Sequence, residues 1–161
     1  MDRLWSPWRM EYIESARGDD DGGCPFCAIV ETDDRTRILA RTSLAFVTLA
    51  KYPYNPGHLL ILPTRHTGDA EDLSAEENTE ISTLLQRSLR ALRVTADPGG
   101  FNVGLNLGRT AGAGIPEHLH WHVVPRWGGD TNFMPVIAGT RVLPELLEDT
   151  LAKLRPAFGD G

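Results

Sequence analysis

The chain has 161 residues, 41% of them apolar, with a formal net charge of −6; these values suit one globular domain with a full-sized core. The acidic balance argues against general affinity for nucleic acid or an anionic membrane surface, so a phosphate-bearing ligand would have to be met by a local cluster of donors. No apolar run approaches the roughly 20 residues that span a bilayer. The opening residues lack a signal-peptide core, and both cysteines sit in one Cys-x-x-Cys pair. A secreted disulfide scaffold is therefore disfavoured, and a cytoplasmic location is the default expectation.

Ser6-Pro7 ahead of Trp8-Arg9-Met10-Glu11-Tyr12-Ile13 reads as an N-cap followed by proline at the first helical position. Residues 1–23 then form an N-terminal extension that ends in the acidic, glycine-bearing stretch Gly18 to Gly23. The pair Cys24 and Cys27 follows, with a short helix expected to begin around Ala28-Ile29-Val30. Leu44 to Ala50 and His58 to Pro63 read as two strands of an antiparallel hairpin. The second is almost wholly apolar and should be central. The turn between them, Tyr52-Pro53-Tyr54-Asn55-Pro56-Gly57, is dense in turn residues.

Ser74-Ala75-Glu76-Glu77 is a capping box. It opens a helix whose apolar face is Ile81, Leu84, Leu85, Leu89 and Leu92 at helical spacing, and Asp97-Pro98-Gly99-Gly100 ends it. Phe101 to Leu107 reads as a third strand, and Gly108 to Gly114 as a loop. A further loop runs from Gly128 to Pro135, and a last helix follows Pro144 with Leu147, Leu151 and Leu154 on one face. There is no internal repeat. The pattern is α+β in a single domain, residues 1–161: an antiparallel sheet with helices on one side.

Between the two loops lies His118-Leu119-His120-Trp121-His122-Val123-Val124. Strict alternation is the period of a β-strand, which places the three imidazoles on one face and Leu119, Trp121 and Val123 in a core behind them. Neutral imidazole is both a nucleophile and a metal ligand near pH 7, so three on one strand can divide the work of a phosphoryl or nucleotidyl transfer. The plain alternatives are a solvent-facing strand rich in histidine and an ordinary metal-binding tract. Gly108, Gly112 and Gly114 leave backbone N–H groups accessible to phosphate oxygens, although ordinary hairpin loops look similar.

The alternating histidines followed by apolar residues resemble the signature of the histidine triad (HIT) family. Pro56-Gly57-His58 ahead of an apolar strand, the glycine loop, the triad and Pro125-Arg126 follow in that family's order. The opening Leu4 to Tyr12 and the closing Trp127 to Met134 look like its bacterial branch of diadenosine-polyphosphate phosphorylases or hydrolases. The resemblance implies a homodimer whose sheets join into one, binding a nucleotide beside the triad. It implies that His120 is the nucleophile at the α-phosphorus, oriented by the backbone carbonyl at His118. His122 would contact the bridging oxygen and help the leaving group depart. Asn106 matches a position that contacts sugar or phosphate, with Gly112 and Gly114 on the phosphate side. His58 and Arg126 read as structural. Two positions depart from the family pattern: Ala50 stands where relatives carry a ribose-binding asparagine, and Gly114 where they carry a polar side chain.

Cys24 and Cys27 supply half of a tetrahedral zinc site. In metal-bearing relatives of the resemblance the other two ligands match His66 and His118, which leaves His120 available to react. Two reduced thiols packed as small hydrophobes, or a redox pair, are the alternatives. The function expected is cleavage of a dinucleoside polyphosphate, diadenosine tetraphosphate first, with phosphate or water accepting the nucleotidyl group. A nucleoside phosphoramidase and a catalytically weak nucleotide-binding interaction protein are the competing readings.

Overall fold

The computed structural model describes residues 23–32, 34, 36–130 and 144–159. The helix expected over Ser6 to Ile13 and the second half of the loop after the triad lie outside the described residues. Among those described, no helix is long and apolar enough to cross a membrane.

Among the described residues five strands form one antiparallel sheet: β1 (Ile38–Arg41), β2 (Ala45–Leu49), β3 (Leu59–Pro63), β4 (Gly100–Gly104) and β5 (Trp121–Arg126), in spatial order β1-β2-β3-β5-β4. The hairpin is in register from Ala45 opposite Pro63 to Leu49 opposite Leu59. All five residues of β3 are buried, as its continuous apolar run requires at the middle of a sheet. The same strand pairs with β5, setting Leu60 opposite His122 and Ile61 opposite Trp121. On its other side β5 pairs with β4, and Gly104 faces His122.

Among the described residues three helices accompany the sheet: α1 (Pro25–Glu31), α2 (Ala75–Ala96) and α3 (Leu147–Phe158). Ser74 and Glu77 form the expected reciprocal capping box at the start of α2. Its far end is closed by Asp97 in the left-handed conformation. Ile81, Leu84, Ala91 and Leu92 of α2 and Leu154 and Phe158 of α3 pack on Ala45, Val47, Leu59, Ile61 and Val123. Because strand side chains alternate, Phe46, Leu60 and Leu62 emerge on the opposite face, where they meet Phe26 and Ile29 of α1. The expectation of helices on one side is thus corrected. The two long helices share one face, and the short one covers the other.

Three boundaries also differ from the sequence reading. The first short helix starts at Pro25, so Cys24 is its N-cap and Cys27 lies within it. The third predicted strand stops at Gly104. The histidine strand starts at Trp121, so His118, Leu119 and His120 precede it outside the sheet, with other partners. The Leu119 N–H donates to the Thr67 carbonyl (2.7 Å) and the His118 N–H to the Ile115 carbonyl. Strand β1 had no counterpart in the sequence reading.

Candidate functional site: a histidine line beside a Cys2His2 cluster

The three triad histidines divide between two neighbouring centres. His118 is fully buried. Its Nε2 lies 2.9 Å from the Pro63 carbonyl, which can only accept, so Nε2 carries the proton and Nδ1 is left with its lone pair. That Nδ1 faces Cys24 Sγ at 3.3 Å and Cys27 Sγ at 3.7 Å. His66 Nδ1 is 3.3 Å from Cys27 Sγ. The four ligand atoms all lie within 4.8 Å of one another. A tetrahedral ion with bonds of about 2.0–2.3 Å has ligand–ligand edges of about 3.3–3.8 Å; the three contacts at 3.3, 3.7 and 3.3 Å match that range, so the donor set fits a metal ion. The carbonyl on the remote nitrogen of His118 is the usual outer partner of a ligating imidazole. Burial, reinforced by the neighbouring Cys24, pushes the Cys27 thiol up to about 11. Metal binding at neutral pH must therefore release its proton.

The ligands are brought together by three segments. Cys24 and Cys27 come from the first turn of α1, His66 from the exit of β3, and His118 from the approach to β5. Besides the Leu119–Thr67 hydrogen bond, the last two are pressed together at Gly68, where a Cβ would sit 2.6 Å from the Pro116 carbonyl. Only a glycine allows that approach.

His120, 7% exposed, turns the other way. Its Nδ1 lies 2.8 Å from the His118 carbonyl, so this nitrogen donates and the Nε2 lone pair is the reactive one. Burial lowers its pKa from the ordinary histidine value, while the hydrogen bond to the His118 carbonyl acts in the opposite sense. The same residue thus uses its side chain in the Cys2His2 cluster and its carbonyl to orient the neighbouring imidazole. Phe26, between the two cysteines, touches both rings, with centroids 5.5 Å from His118 and 5.4 Å from His120.

His122 stands 5.1 Å from His120, ring to ring. Its Nδ1 is 2.9 Å from Nε2 of His58, a residue only 2% exposed. The Tyr54 backbone N–H donates to the other nitrogen of His58 (3.1 Å), and the Tyr54 ring stacks on both His58 and His122. The expectation that His58 merely supports the strand is refined, since it touches His122 directly. The turn carrying Tyr54 is clamped by the Asn55 side-chain amide, which donates to the Pro125 carbonyl and to Asp130. Gly57 there has φ +76°, and a Cβ would meet Leu92 at 3.0 Å. Arg126 is structural as expected, paired through two nitrogens with Asp130 and donating to Asn102. That pairing holds the Asp130 carboxyl well below the usual carboxylate range.

Asn106 is half-buried two residues beyond Gly104, the partner of His122. Gly112 has φ +94° and closes a 3-10 turn, Arg109–Ala111, and Gly114 is half-buried in the same loop. Ala50 is buried at 3% exposure among Phe46, Leu60 and Phe26, so the departure at this position is absorbed into the core. The sequence reading missed Phe26 and Tyr54. A phenylalanine between two metal-spaced cysteines and a tyrosine four residues before a histidine were the available signals.

An antiparallel sheet ending in this line of histidines, with the His120 imidazole held by the His118 carbonyl, is an arrangement of the histidine triad type. Residues 31–129 match the family model for the HIT domain, and the chain belongs to that family. It is 44% identical over 157 residues to an AP-4-A phosphorylase of Mycobacterium tuberculosis, covering 93% of this chain and 80% of the relative. An adenosine 5′-monophosphoramidase of Schizosaccharomyces pombe is 33% identical over 103 residues, covering 64% of this chain and 74% of that protein. Among solved structures, a Zn-bound histidine triad family protein from Mycobacterium smegmatis superposes with a TM-score of 0.68 at 29% identity, over 84% of this chain and 93% of that one.

Proposed function

We propose that this protein cleaves diadenosine tetraphosphate by nucleotidyl transfer through His120, with inorganic phosphate as the acceptor. The observation that carries the reading is the 2.8 Å contact from His120 Nδ1 to the His118 carbonyl, which commits the lone pair of Nε2 to attack. The 44% identity to an AP-4-A phosphorylase supports both the substrate and the acceptor.

In the first step Nε2 of His120 forms a bond to one α-phosphorus, and the bond from that phosphorus to the bridging oxygen breaks. The electron pair goes to the oxygen, which departs on ATP. His122, beside His120, stabilises the charge developing there. In the second step a phosphate oxygen attacks the adenylyl-His120 and releases ADP. Gly112, Gly114 and Asn106 border the phosphates and sugar. With Ala50 buried in the core, ribose recognition falls to other groups. A zinc ion would be held by Cys24, Cys27, His66 and His118, where it would fix the His118 backbone and so the orientation of His120.

The chain acts as one domain and as a homodimer. Among the described residues β4 pairs only with β5, and its edge carries Val103, 45% exposed, with Leu107 exposed just beyond. An apolar, unpaired edge suits extension of the sheet by a second copy.

The test is a product assay on diadenosine tetraphosphate with and without phosphate. ADP plus ATP, dependent on phosphate, is the expected result. AMP plus ATP at equal rate without phosphate would make water the acceptor. No products would refute the substrate. A phosphoramidase is the second reading, favoured by the S. pombe relative, and release of AMP from adenosine 5′-phosphoramidate alone would establish it.

A further inference from the structure

His58 is the one buried histidine with no part in either chemistry described so far. Both of its ring nitrogens have defined partners. A backbone N–H can only donate, so the Tyr54 amide requires a bare lone pair on His58 Nδ1. Neutral His58 then carries its single proton on Nε2, which faces His122 Nδ1 at 2.9 Å. His122 Nδ1 must in turn accept. Its own proton is thereby placed on Nε2, across the ring from His58. A proton on Nδ1 of His122, whether in the other tautomer or in the imidazolium, would set two N–H groups against each other at that distance.

The surroundings hold this arrangement rigidly. The Tyr54 ring stacks over both imidazoles, 24° from the plane of His58 and 21° from that of His122. The turn that aims the Tyr54 amide is tied to β5 through Asn55. Packing alone does not call for an imidazole here, because a phenyl ring would fill the same space and stack as well on Tyr54.

We propose that His58 is a positioning residue: it holds His122 neutral, with its proton on Nε2, so that His122 serves as a hydrogen-bond donor to the leaving oxygen and not as a proton-transferring acid. The role at the leaving group rests on the nucleotidyl-transfer reading above. A neutral imidazole does not readily surrender its N–H proton. The electron pair released when the phosphorus–oxygen bond breaks therefore stays on a departing phosphate, which leaves as an anion stabilised by the donor. A phosphate leaving group suits this role, since its last proton has a pKa near 6 and it departs unprotonated at neutral pH.

The experiment begins with long-range 1H–15N correlation spectra of the full-length protein without nucleotide, at neutral pH. They separate the Nδ1–H, Nε2–H and doubly protonated forms of His122, assigned through His122→Gln. Wild type should show the Nε2–H form. His58→Phe should lose that preference, and His58→Gln, whose amide N–H can reach the same nitrogen, should keep it. In turnover, His58→Phe should lose about 10²-fold in kcat, the order found for removal of one preorganised donor. His58→Gln should recover most of the loss, and nucleotide affinity should be unchanged in both. An imidazolium or an Nδ1–H form of His122 in wild type would overturn the proposal, as would an unchanged His122 form in a folded His58→Phe. The spectra are read without substrate, so their failure is distinct from a failure of the diadenosine tetraphosphate assay in wild type.

Discussion

Removing the two thiolates, Cys24→Ser with Cys27→Ser, is the sharpest perturbation of how this site is assembled. Helix α1 is seven residues long, too short to be stable alone, and it buries only Phe26 and Ile29. A metal held by Cys24, Cys27, His66 and His118 would accordingly be a main tie between α1 and the approach to β5. Zinc at 1,000 times its dissociation constant stabilises the folded state by about 4 kcal/mol. At about 2–4 °C per kcal/mol for a domain of this size, that corresponds to a fall in Tm of roughly 8–16 °C on loss of the ion. Elemental analysis and thermal melts with and without chelator measure both quantities. Wild type should hold close to one zinc per chain and lose stability on chelation. The double variant should hold none and melt alike under both conditions. Because the Cys27 thiol is raised to about 11, binding displaces a proton and affinity should climb with pH. A double variant that retains stoichiometric zinc, or a wild-type melt unmoved by chelation, would refute the assignment.

Three further outcomes follow from the structure. His120→Asn should abolish turnover while leaving nucleotide affinity, read by calorimetry, nearly intact, since the loss falls on the attacking nitrogen. Ser74→Ala removes the side-chain acceptor for the Glu77 N–H. It should cost about 1 kcal/mol in a denaturant melt without changing kcat. Asp130 is held below its ordinary pKa by Arg126, so the folded state binds fewer protons there than the unfolded chain. Its contribution is present above the unfolded value near 3.8 and is lost as pH falls below it. Asp130→Asn should therefore be less stable than wild type at pH 7, with the gap closing in acid. A gap that widened instead would show the sign to be wrong.

What the sequence disclosed depended on how locally each feature is encoded. The capping box at Ser74–Glu77, the apolar run of β3 and the apolar face of α2 are set by neighbouring residues, and each appears where periodicity placed it. Strand β1, Ile38 to Arg41, is four residues long and has three buried in succession, so it offers no alternation to detect. Helix α1 buries a single pair, Phe26 and Ile29, which is too little pattern to reveal that it crosses to the other face of the sheet. At the triad strand alternation holds only from Trp121 onward, and the backbone before it finds other partners. His118 and Leu119 direct their backbone N–H groups to Ile115 and Thr67, and the His118 carbonyl receives an imidazole in place of a strand partner. Alternation orders side chains; it does not say which backbone partners they find. The metal ligands could be assembled only through the resemblance, because His66 and His118 lie far from the cysteines along the chain. The contact between His58 and His122, 64 residues apart, has no sequence signal beyond the two histidines themselves.

In the proposed reaction Nε2 of His120 carries the transferred adenylyl group. The most direct test mixes the protein with diadenosine tetraphosphate in the absence of phosphate, quenches in base to preserve a phosphorus–nitrogen bond, and maps the modified peptide by mass spectrometry. An adenylyl group on His120, formed with release of ATP and discharged as ADP when phosphate is added, is the predicted result. Phosphate-dependent turnover that persists in His120→Asn, or an adduct mapped to His122 with His120 unmodified, would contradict it.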